Sequence, residues 1–167
     1  MKRFRIRFSF LLFNALLFLL CDGGMILSFY AVCVLHELGH IAALRLTGRE
    51  LRCVELSFFG IRITSAPAAD IKRGAAVLLS GPAVNLLLYA FLRAADCCGR
   101  TAVLSLAAGL FNLLPLSSLD GGALLDMLAE GRIHERQFRV CLGVLRVLTA
   151  LALLMYIITE MLANVPR

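Results

Sequence analysis

The sequence predicts an all-α polytopic membrane protein with five to six transmembrane helices and a short membrane-surface β-hairpin. Three observations carry this reading. Of 167 residues, 60% are hydrophobic and only 17% are charged, against roughly 45–50% and about 25% in soluble domains. The mean hydropathy is +0.87, and the apolar residues fall in runs near the length that crosses about 30 Å of hydrocarbon. The basic residues gather between alternate runs, as they do at the cytoplasmic ends of membrane spans. The same composition excludes a collagen, a disordered tail and a disulfide-stapled scaffold.

The first run covers 8–20 and follows Lys2, Arg3, Arg5 and Arg7. It imitates a signal peptide, but Cys21-Asp22-Gly23-Gly24 leads straight into another apolar stretch without a small-x-small cleavage site. An uncleaved anchor span is expected. Further spans are expected at 25–46, 74–95, 101–119 and 140–162. Residues 53–59 and 61–65, around Gly60, alternate as a short hairpin,. Residues 121–130 suit a short amphipathic helix or a partial span. With no internal repeat or linker, residues 1–167 are expected to form one domain.

The net charge is +6. The positives flank apolar runs, so they fit a bilayer surface and no nucleic-acid partner is expected,. Thirteen of the seventeen basic residues precede the first span or lie in the loops after the second and fourth. Those segments are therefore predicted cytoplasmic and the C-terminus outside. The six cysteines show no CxxC spacing and suit small buried residues better than a disulfide framework,.

Chemistry enters with His36-Glu37-Leu38-Gly39-His40 in the second run. Positions i and i+4 share a helix face, so His36 and His40 can present both imidazoles to one metal ion. Glu37 is placed to act as general base toward a metal-bound water. On a soluble helix the motif is often only a solvated face. Inside an apolar run such residues are costly unless they line a cavity, pair or bind metal. His134, between Arg132 and Arg136, reads as solvated.

A catalytic zinc usually takes three protein ligands. Candidates for the third are Asp22, Asp70, Asp96, Asp120, Asp126 and Glu130. Asp22 and Asp96 fall in outer loops. Asp120, read as closing the fourth span, arrives on the histidines' side, and the Gly121-Gly122 that follows lets its carboxylate be aimed. Its structural alternative is a helix N-cap for 121–130. Asn85, after Ser80-Gly81-Pro82, and Asn112, before Pro115, are polar groups in apolar runs. Each needs partners. Asn112 is read as a donor to an oxyanion and Asn85 as a holder of a peptide carbonyl, against plain interhelical hydrogen bonding.

Together these residues resemble the site-2 protease family of intramembrane zinc metalloproteases. The resemblance spans roughly residues 5–130 and rests on His36-Glu37-Leu38-Gly39-His40, Phe58-Phe59-Gly60, Ser80-Gly81-Pro82, Phe111-Asn112-Leu113-Leu114-Pro115 and Leu119-Asp120-Gly121-Gly122. It is closest to the compact sporulation branch (stage IV sporulation protein FB-like), here without a PDZ or CBS domain. Ser118 stands where the family often has proline. The resemblance implies Zn2+ on His36, His40 and Asp120, with Glu37 activating water. It implies cleavage of membrane-embedded or membrane-adjacent proteins near the cytosolic face, for instance a pro-sigma-type precursor. The hairpin, through Phe59 and Gly60, would receive substrate as an added strand. The expected setting is a multi-pass protein of the bacterial cytoplasmic membrane or a membrane derived from it, with an inhibitory membrane partner among the expected associations. The alternative is a pseudoprotease that binds or regulates clients without cutting. A metal transporter fits less well, because the outer halves of the second and fourth spans offer only hydroxyls such as Ser28 and Ser105.

Overall fold

The computed structural model describes residues 3–6, 8–48, 51–57, 60–65, 70–130 and 135–163. Six helices account for most of them: α1 (Phe8–Leu20), α2 (Gly23–Leu46), α3 (Ile71–Ala94), α4 (Gly99–Asn112), α5 (Asp120–Ala129) and α6 (Glu135–Ala163). Strands β1 (Arg3–Ile6), β2 (Leu51–Ser57) and β3 (Gly60–Ser65) form a sheet in the order β1-β2-β3. β2 and β3 run antiparallel, with Ser57 opposite Gly60, and β1 runs parallel to β2. Phe59 and His134 lie outside the described residues.

Local chemistry sets the helix ends. Asp22 caps α2 by accepting from the Met25 N–H at 2.9 Å, and Asp70 caps α3 by accepting from the Lys72 N–H at 3.0 Å,. α4 ends at Asn112, three residues before Pro115, because proline cannot continue the hydrogen-bond ladder and restricts the residue before it.

Three described helices are long and apolar enough to cross a membrane: Gly23–Leu46, Ile71–Ala94 and Glu135–Tyr156. α1 and α4, with 13 and 14 residues, extend only about 20 Å. The run at 101–119, expected as one span, is instead a helix to Asn112, a loop, and a new helix that begins at Asp120. Large apolar side chains point outward on several helices, among them Leu27, Leu87, Phe91 and Leu148. Outward apolar faces are what a bilayer solvates.

The bundle centres on α2, α3 and α4, and α5 packs on α3. Gly39 lets α2 approach α3, since a Cβ there would stand 2.8 Å from the Ser80 carbonyl oxygen. Ser28 and Thr101 hydroxyls meet at 2.9 Å between α2 and α4. Ser105 donates to the Asn85 backbone carbonyl at 2.8 Å, tying α4 to α3. Such short polar links and small residues substitute for a hydrophobic driving force between helices in lipid.

Candidate metal centre

His36 and His40 lie one turn apart on the face of α2 that meets α3, and both are buried. The first residue of α5 brings Asp120 to them. Asp120 Oδ2 lies 3.1 Å from His36 Nε2 and 3.3 Å from His40 Nε2, and the two Nε2 atoms are 3.1 Å apart. Asp120 reaches this position as the opening residue of α5, with Leu119 as the capping position. It is therefore neither the end of a fourth span nor an N-cap. Gly121 and Gly122 make the turn possible: a Cβ on either would overlap the backbone of Leu113 or Leu116. The α5 N-terminus favours the Asp120 carboxylate.

The outer faces of both imidazoles are fixed. His40 Nδ1 lies 2.8 Å from the Val77 carbonyl oxygen. A carbonyl only accepts, so Nδ1 carries the proton and Nε2 a lone pair. Ser80 Oγ sits 3.4 Å from the same nitrogen and donates to the same carbonyl at 2.6 Å. His36 Nδ1 faces the Asn85 carboxamide, with Nδ2 at 3.1 Å, while Asn85 Oδ1 is buried without a partner. Exchanging the two ends of that carboxamide leaves its shape unchanged and sets Oδ1 against Nδ1. His36 Nδ1–H then donates to Oδ1, and the neutral ring is left with a lone pair on His36 Nε2.

With both rings neutral, two lone pairs and one carboxylate oxygen converge with no proton among them. Such an arrangement is repulsive unless a cation joins it. The separations suit one: ligand atoms about 2.0–2.1 Å from a tetrahedral zinc lie about 3.3–3.4 Å apart. Gly81 leaves the space open, since a Cβ there would press on both Nε2 atoms. His36, His40 and Asp120 therefore fit a metal and form the group of potential ligands found among the described residues.

The remaining expected residues fall differently. Asn85, expected at the substrate, is fully buried with its carboxamide against His36. Asn112 gives its Nδ2 to the Ala108 carbonyl of its own helix at 3.0 Å. Gly60 opens β3. Glu37 is half-buried on α2 beside His36. Gly81 and the Val77 carbonyl belong to the site although sequence reasoning assigned neither a role. The small residues of Ser80-Gly81-Pro82 were the available signal for a close approach.

Asn85 yields a quantitative expectation. Asn85→Leu keeps the volume and removes the acceptor, so zinc affinity in a chelator competition should fall about 10–100-fold, the usual range for a lost outer partner of a ligating histidine. Asn85→Asp retains an acceptor and should stay close to the parent. Parental affinity in the Leu variant would show that Asn85 does not orient His36.

Apolar helices long enough to cross a membrane carry a group of side chains that could hold a metal ion. The model of Peptidase family M50 matches residues 95–155. A protein of Synechocystis sp. named as a zinc metalloprotease, sll0528, is 32% identical over 111 residues, covering 59% of this chain and 29% of that protein. One of Mycobacterium tuberculosis named as zinc metalloprotease Rip3 is 28% identical over 158 residues, covering 86% and 40% respectively. The chain thus spans less than half the length of either relative. The site-2 protease from Methanocaldococcus jannaschii superposes with a TM-score of 0.70 at 19% identity, over 98% of this chain and 82% of that one. The family model thus matches a little over a third of the chain, and the structural neighbour shows the shared fold. The metal that this family and these names imply is Zn2+.

Proposed function

We propose that the chain is an intramembrane zinc endopeptidase. The observation that carries this is the convergence of His36 Nε2, His40 Nε2 and Asp120 Oδ2 within 3.1–3.3 Å of one another. Bound there, zinc supplies Lewis acidity toward a water and toward the scissile carbonyl. Glu37 takes the proton of the attacking water and delivers it to the leaving amine nitrogen. Asn112 turns its amide from the Ala108 carbonyl to the developing oxyanion. β3 lies at an edge of the sheet, and an extended substrate pairs along it from Gly60 onward, with Phe59 nearby in sequence. That pairing exposes backbone carbonyls which a helical substrate keeps hydrogen-bonded.

The substrate class is a membrane-embedded or membrane-adjacent protein cut near the cytosolic face, a pro-sigma-type precursor being one such protein. The setting is a bacterial cytoplasmic membrane or a membrane derived from it, with an inhibitory membrane protein as regulator. The chain is read as a single domain resembling the compact sporulation branch, and one test separates this reading from the second, a non-cleaving client binder. Purified full-length chain should bind one zinc and cleave a reporter carrying a transmembrane segment. Chelation should abolish cleavage and added zinc should restore it. Cleavage that survives complete metal removal would overturn the proposal. Stoichiometric zinc with intact client and no cleavage would favour the client binder.

A further inference from the structure

Arg146 is the one charged side chain of α6 between Arg139 and Glu160. It sits near the middle of the apolar stretch Glu135–Tyr156, where a cation is costly and marks a function unless its charge and donors are met. They are met by one small region. Nε donates to the Pro115 carbonyl at 2.9 Å, Nη2 donates to the Gly122 carbonyl at 3.4 Å, and Nη2 pairs with Asp126 Oδ1 at 2.7 Å. Pro115 and Gly122 bracket Asp120 in the chain, and Asp126 lies on the helix that Asp120 opens.

We infer that Arg146 is a positioning residue for Asp120: its guanidinium clamps the backbone on both sides of the carboxylate and fixes where the third metal ligand stands. This rests on the zinc centre proposed above. Two features make the clamp necessary. The segment it holds is a loop, 113–119, with Ser117 and Ser118 in place of any second proline to stiffen it. Apolar packing does little to hold α6 in place, since only 6% of its most apolar 18-residue stretch is buried. A planar fork of donors can satisfy two carbonyls and a carboxylate together, which a lysine's point charge cannot. α6 is thereby linked to the metal centre although it contributes no ligand.

The test is zinc affinity of the full-length protein by chelator competition, with the absorption spectrum of the Co2+ form as a second readout. Arg146→Met should weaken zinc about 10-fold or more and change the Co2+ spectrum. Arg146→Lys should recover part of the affinity at most. The double variant Arg146→Met/Asp126→Leu removes both charges, so neither ion is left unpaired, and it should still bind weakly because the two carbonyls remain unheld. Arg100→Ala breaks the Arg100–Asp22 pair, 3.1 Å long and also between helices, and should leave zinc affinity unchanged. Parental affinity and spectrum in the double variant, or an equal loss in Arg100→Ala, would overturn the inference alone. A parent that binds no zinc would overturn both the inference and the metal centre beneath it.

Discussion

Replacing Glu37 with glutamine leaves zinc bound and cuts the cleavage rate by about 10²–10⁴, the usual contribution of a positioned general base. The glutamine side chain has the same length and the same half-buried place on α2, but it cannot take up a proton. The three candidate ligand atoms belong to His36, His40 and Asp120, so metal binding at this site should not depend on Glu37. The prediction therefore splits two readouts that a folding defect would move together. Zinc content and affinity should match the parent while turnover of the membrane reporter collapses. Equal turnover in both proteins would remove Glu37 as the base. Zinc lost together with turnover would mean that Glu37 supports the site's structure.

What the sequence made legible follows from the range of the interactions involved. The histidine pair needed only helix periodicity, which fixes His36 and His40 on one face, and α2 presents them so. Asp120 was reachable by asking which side of a membrane each acidic residue occupies. The structure brings it to the histidines by a different route, because Pro115 stops α4 at Asn112 and Asp120 arrives on a separate helix. A hydropathy run cannot register that break, since residues 113–116 are as apolar as the helix before them. Strand β1 was absorbed into the expected anchor segment, although Arg3-Phe4-Arg5-Ile6 alternates with the period of a strand,. Asn85 was legible as a polar group needing a partner. Which partner it finds depends on the α2–α3 contact at Gly39, and helix pairing of that kind is not written in local spacing.

Gly81→Ala carries the largest expected effect of a single added carbon: zinc content falls to background and cleavage with it, while the protein stays helical. In an ordinary helix this change would stabilise by roughly 0.5–1 kcal/mol, because glycine gives up more backbone entropy than alanine. At position 81 the new Cβ would lie 2.6 Å from His36 Nε2 and 2.8 Å from His36 Cε1, and nearer still to His40 Nε2. Neither ring can retreat cheaply. His40 is held through Nδ1 by the Val77 carbonyl at 2.8 Å, and His36 through Nδ1 by Asn85 at 3.1 Å. The backbones cannot slide apart without disrupting the tight seat of Gly39 against Ser80. The overlap must then be relieved by turning the imidazoles, which takes both Nε2 atoms away from Asp120. Gly143→Ala is the matched control, since a Cβ there meets nothing within 4 Å. It should show the ordinary helix gain and keep full zinc. Metal analysis and circular dichroism on the two variants read this directly. Parental zinc affinity in Gly81→Ala would mean that the imidazoles do not face α3 as the ligand geometry requires, and the metal centre would have to be redrawn.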